Sequence, residues 1–98
     1  MKQSSNVVSF QADVIKALGH GLRIRIVDYL KTKERSVTEI VEHFDADASV
    51  ISRQLAILKR AGILGSRKSG LNVVYHVAMK RVPELLDYIA QAIKGKFE

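Results

Sequence analysis

Residues 36–62 read SVTEIVEHFDADASVISRQLAILKRAG, and this stretch decides the fold. Ser36 followed three residues later by Glu39 is the pattern of a capping box, in which the hydroxyl and the carboxylate each satisfy a free amide of a helix start. Val37, Ile40, Val41 and Phe44 then share one face, which predicts a short helix ending at residues 43–45. Asp47 is placed to cap the next helix, its carboxylate accepting from the amides near Ser49 and Val50. In that helix Ile51, Leu55 and Leu58 recur at i, i+4 and i+7 and face a core, while Ser49, Ser52, Arg53, Lys59 and Arg60 lie away from it. Gly62 is a C-cap candidate. Two short helices separated by about three or four residues make a helix-turn-helix, here over about 37–61.

Past Gly62 the period changes. Leu71, Val73, Tyr75 and Val77 alternate with Asn72, Val74, His76 and Ala78, which predicts a strand. Its partner spans about 63–68 with Ser69-Gly70 at the turn, so residues 63–78 form a hairpin wing. Pro83 suits the first turn of a last helix, where its missing amide proton costs nothing, and Val82, Leu85, Leu86, Ile89, Ile93 and Phe97 make an apolar stripe over about 82–96. Upstream, Val7, Val8, Phe10, Val14, Ile15 and Leu18 predict a first helix over about 5–18. Gly19-His20-Gly21 interrupts it, and Leu22, Ile24, Ile26, Val27 and Leu30 carry a second helix to about Lys31, followed by a charged connector at 31–35. The expected architecture is a single domain over 1–98, mainly α with a β-hairpin wing: four helices, the hairpin, then a fifth helix. The first and last helices carry more apolar surface than a small core can cover, so a homodimer through these two helices is expected.

Composition narrows the function. The 98 residues include no cysteine, which excludes disulfides, thiolate metal sites and thiol redox chemistry. The net charge is +6, and its position is informative. Residues 1–47 balance seven bases against seven acids, residues 48–83 carry seven bases and no acid, and residues 84–98 carry two bases and three acids. A one-signed segment suits a polyanionic partner; an ordinary solvated face is the alternative. The polar residues 1–6 are no signal peptide and no stretch approaches bilayer-spanning length, so a cytoplasmic protein without a membrane partner is expected.

Within the helix-turn-helix frame, Ser49, Ser52, Arg53 and Gln54 are candidates to reach base edges, because Arg can pair with guanine O6/N7 and Gln with adenine N6/N7. Lys59 and Arg60 suit phosphate, and Arg67 and Lys68 beside the wing turn suit the backbone or an adjacent minor groove. Arg23 and Arg25 could meet phosphate or pair with nearby carboxylates. His20, His43 and His76 lack metal-ligand spacing; His20 reads as packing or hydrogen bonding and His76 as wing surface, with an intersubunit zinc site as the alternative. Phe10 and Phe97 read as interface or core, and Tyr75 as hairpin packing. Gly19-His20-Gly21 lacks the third glycine of a dinucleotide loop, and neither a Gly-x-Ser-x-Gly elbow nor a His-Glu-x-x-His pair occurs. No catalytic residue, metal ligand or cofactor is therefore assigned. Double-stranded DNA is the expected partner, and an acidic protein bound by the same wing and helix is the competing one.

The motifs in this order resemble the ArsR/SmtB family of bacterial and archaeal winged-helix repressors over nearly the whole chain. Leu18-Gly19-His20-Gly21-Leu22-Arg23 and Ile24-Arg25-Ile26-Val27 are similar to the start of that family's second helix. Ala48-Ser49-Val50-Ile51-Ser52-Arg53-Gln54-Leu55 is similar to its recognition helix, Leu58-Lys59-Arg60-Ala61-Gly62-Ile63-Leu64 continues into the wing, and Arg67-Lys68-Ser69-Gly70 with Val74-Tyr75 resembles the wing tip and return strand. The resemblance implies a homodimeric repressor on a palindromic operator, with Ala48, Ser49, Ser52, Arg53, Gln54, Lys59, Arg67 and Lys68 at the DNA. Gly21 stands where the family usually has proline, and Gln54 where it often has histidine. The family's usual sensing ligands, cysteines in helix 3 or helix 1 or His and carboxylates on the last helix, do not carry over, because the chain has no cysteine and residues 82–98 hold no histidine. The resemblance names no inducer.

Overall fold

A computed structural model describes residues 5–97. Readings that fall on residues 1–4 and 98, including most of the polar N-terminal segment, lie outside them. The elements run α1 (Ser5–Leu18), α2 (Gly21–Leu30), β1 (Arg35–Ser36), α3 (Val37–Phe44), α4 (Ala48–Arg60), β2 (Leu64–Ser69), β3 (Asn72–Val77) and α5 (Val82–Ala92), with a closing 3-10 turn at Lys94–Lys96.

Local chemistry fixes the boundaries. The Ser36 hydroxyl accepts from the Glu39 amide at 3.1 Å and the Glu39 carboxylate accepts from the Ser36 amide at 2.9 Å, the capping box read from the sequence. The helix-turn-helix corner is made by Asp45 in the left-handed region, φ 48° and ψ 48°, a conformation Asp tolerates better than bulky residues. Asp47 differs from expectation: it occupies the N-cap of α4, but its side chain makes no capping bond, and only its carbonyl serves the helix, accepting from Ile51 at 3.1 Å. At the other end Gly62, φ +83°, closes α4 in a Schellman motif, with Ile63 N–H donating to Leu58 O at 3.0 Å and Gly62 N–H to Lys59 O at 2.9 Å.

The wing pairs Leu64 with Val77 through to Ser69 with Asn72, so the two-residue turn is Gly70-Leu71, one residue later than expected. Gly70 takes φ +62°, the positive φ that a tight turn of this kind places at its first central residue. The sheet also has a third strand that the sequence did not reveal. Arg35 and Ser36 pair with Tyr75 and Val74, giving the antiparallel order β1-β3-β2. The last helix is shorter than its apolar stripe: α5 stops at Ala92 and the chain tightens into the 3-10 turn around Gly95, a residue of low helix propensity.

Ile26, Val27, Ile40, Ile51, Leu55, Leu58 and Ile63 are fully buried and join α2, α3, α4 and the root of the wing into one core. Each contributes about 1.5–3 kcal/mol relative to an exposed position. By contrast α1 buries only Ala17 and Leu18, and α5 only Val82.

Candidate nucleic-acid interface

The core stripe of α4 dictates what its outer face offers. Ile51, Gln54, Leu55 and Leu58 point inward, leaving Ala48, Ser49, Ser52, Arg53, Lys59 and Arg60 exposed. Among the described residues, Arg53, Lys59, Arg60, Lys68 and Lys80 have no carboxylate within ion-pair distance. Lys59 Nζ donates to Ser66 Oγ at 2.7 Å, which ties the end of the helix to β2. Arg53 and Lys68 thus stand exposed on helix and wing respectively.

Two site residues depart from expectation. Gln54 does not lie on the outer face; it is only 7% exposed, and its side-chain oxygen accepts from Arg23 Nη1 at 2.7 Å. The reason is helical: Gln54 is three residues after Ile51 and four before Leu58, inside the buried stripe, and a hydrogen-bond partner makes its burial tolerable. Arg67, expected to reach phosphate, is paired with Glu34 through Nε to Oε2 at 3.3 Å and through Nη2 to Oε1. Glu34 is brought there because β1 lies beside β3. The Arg67 hydrogen bond holds the Glu34 carboxyl below the usual carboxylate range, and the same bond raises Arg67.

Arg23 pairs with no carboxylate among the described residues. Its Nε donates to Ala17 O at 2.6 Å while Nη1 holds Gln54, so one half-buried guanidinium joins the end of α1 to the middle of α4. Tyr29 and His43 stack at 3.8 Å, Phe44 meets both edge-on at 5.7 and 4.7 Å, and the Arg35 guanidinium lies 4.4 Å from the Tyr29 ring centre. This cluster braces α2, α3 and β1 against one another. Its members, at 29, 35, 43 and 44, follow no helical or strand period that would disclose it. His20 caps α2, its Nδ1 accepting from Leu22 N–H at 3.3 Å. Among the described residues no group of three or more His, Asp or Glu side chains is arranged to hold a metal ion. None of the described helices is long and apolar enough to cross a membrane.

The remaining unusual surface is apolar. Phe10 and Ile15 on α1 are 70% and 67% exposed, and Tyr88 on α5 is 73% exposed, with Leu85 and Ile89 on that helix and Ile93 just beyond it also exposed.

A helix braced on one side and unpaired on the other, beside a basic hairpin, suits the groove of a duplex; fold and site together define a winged helix-turn-helix DNA-binding transcriptional regulator. The model for bacterial regulatory proteins of the arsR family matches residues 20–66. An uncharacterized HTH-type transcriptional regulator of Mycobacterium tuberculosis, Rv0081, is 34% identical over 85 residues, which cover 86% of this chain and 75% of that protein. The chain belongs to the arsR family. The HTH-type transcriptional repressor SmtB of the same organism is 31% identical over 87 residues, 88% of this chain and 64% of the repressor. Among solved structures, Rv0081 superposes with a TM-score of 0.79 at 30% identity, covering 97% of this chain and all of that one. The homodimeric winged helix-turn-helix DNA-binding domain of Mb0332 from Mycobacterium bovis gives 0.85 at 28% identity, covering 98% and 92%.

Proposed function

We propose that this regulator is a cytoplasmic repressor, working as a homodimer on a palindromic operator. The whole chain, 1–98, acts as one DNA-binding domain: helix-turn-helix, wing, and outer helices α1 and α5 that pair two copies. In this reading Ser49, Ser52 and Arg53 meet base edges, Ala48 is small enough to let the helix start approach closely, and Lys59 and Lys68 contact phosphate. Arg67 joins them when Glu34 releases it. The activity is binding, with no reaction and no cofactor.

The observation that carries the proposal is Arg53, an exposed guanidinium without an ion-pair partner among the described residues, on the face of α4 opposite the core. Selection of bound duplexes from a random pool, followed by anisotropy titration at several salt concentrations, tests it. The expected result is one palindromic consensus, with Arg53→Ala losing about 1–3 kcal/mol of discrimination at one position of each half-site. An Arg53→Ala protein that selects the same consensus with the same preference would refute the assignment. Failure of the parent to bind any duplex at low salt would refute the function.

A further inference from the structure

Beyond the groove-facing surface, the far end of α4 borders a cleft with α1 and α2 that encloses about 410 Å³. That size falls within the range of small-ligand sites. Its chemistry is asymmetric: Lys16, Arg23 and Arg60 supply three cations, Asp13 the single acid, and Ala17, Ile57 and Ala61 the apolar wall. Lys16 and Arg60 are exposed and have no ion pair among the described residues. At about 100° per residue, Lys16 points about 100° round α1 from Ile15 and about 120° from Phe10, so its ammonium lies to the side of a pairing made through those two residues.

We propose that this cleft binds a small organic anion, a carboxylate on a compact apolar body, and that the anion controls the recognition helix through Arg23 and Gln54. This deepens the regulator reading and rests on it. Arg23 already spans the distance, holding Ala17 O at 2.6 Å and Gln54 Oε1 at 2.7 Å. A carboxylate accepts a charge-assisted hydrogen bond from a guanidinium, a stronger bond than a neutral amide oxygen provides. An anion seated between Lys16 and Arg60 competes with Gln54 for Arg23. Gln54, nine-tenths buried, then loses its partner, a state relieved by moving α4. Gln54 adjoins Arg53, so the displacement reaches the base-reading side chain directly. The cleft end of α4, at Arg60, is about 16 Å along the helix axis from Ser49, so the anion sits apart from the base-reading start of the helix.

Sodium benzoate serves as the probe and benzamide as its neutral counterpart, both at constant ionic strength with sodium chloride as balance. Amide and arginine Nε resonances are followed by nuclear magnetic resonance. Benzoate is expected to saturate near or below about 10 mM, with shifts centred on Ala17, Arg23, Ile57 and Ala61, and benzamide to give none. Lys16→Gln and Arg60→Gln, both at exposed positions, are expected to keep the fold and lose the response. At saturation benzoate is expected to weaken operator binding about fivefold or more in the parent, and not in Lys16→Gln. Shifts that never saturate, that centre on Arg53 and Lys68, or that survive both substitutions overturn the site. Cleft binding that leaves operator affinity unchanged overturns the coupling. If benzoate fills the cleft but no duplex binds at low salt, the regulator reading fails and the anion site stands; if duplex binds and benzoate does not, the reverse holds.

Discussion

The contact between Glu34 and Arg67 changes what the wing can offer a duplex. A guanidinium engaged with a carboxylate brings no net charge to phosphate, so replacing Glu34 by Gln is expected to free it. Glu34→Gln should bind any duplex more tightly at low salt, with a salt dependence steeper by about one phosphate contact. Salt titrations of the two proteins on a scrambled duplex measure this, and equal slopes would leave Arg67 without a part in binding. Glu34 titrates below the usual carboxylate range in the folded chain, so the pair is intact at neutral pH and is lost only as pH falls through that lowered value. The difference between parent and variant should therefore be constant around neutrality and vanish in acid. This pair was not legible in the sequence, because 33 residues separate its members and only the strand β1 brings them together. Gln54 was more legible than its reading suggested: its position relative to Ile51 and Leu58 places it inside, and only its polarity argued otherwise.

Among the elements, α3 depends most on its start. It has eight residues, too few to be stable alone, and its capping box satisfies amides at the helix start. Ser36→Ala is expected to cost about 1 kcal/mol of unfolding free energy, read from urea denaturation; an unchanged midpoint would mean that packing alone holds the helix. Hydrogen bonds from the Ser36 backbone and then its hydroxyl keep the Glu39 carboxyl below its usual range. That contribution is therefore present at neutral pH and fades as pH drops through the lowered value; Ser36→Ala keeps the backbone amide that chiefly causes it, so the penalty of that substitution should change little with pH. The elements the sequence disclosed are those with a period: the stripe of Ile51, Leu55 and Leu58, and the alternation from Leu71 to Val77. Those it concealed have none. Arg35 and Ser36 become a strand because the edge of β3 is free to take them, and α5 ends at Ala92 although apolar residues continue to Phe97.

For the whole molecule, the outer helices present a surface that the chain alone does not use. Phe10, Ile15, Leu85, Tyr88 and Ile89 remain between 45% and 73% exposed, whereas the core is complete without them. Large exposed apolar side chains concentrated on two helices of a small domain suit an interface. In the proposed homodimer a second copy covers them, since a two-fold pairing would bury the same surface on both partners and would set two recognition helices about 34 Å apart, one turn of the duplex. The double variant Phe10→Asp with Tyr88→Asp is expected to sediment as a monomer and to keep its helical circular dichroism, because neither side chain belongs to the core. Its operator affinity should fall by about a hundredfold or more, the loss of a second linked site, while its weaker binding to an isolated half-site stays close to that of the parent. A variant that still sediments as a dimer would move the interface elsewhere, and a parent that sediments as a monomer at operator-binding concentrations would remove the need for a palindrome.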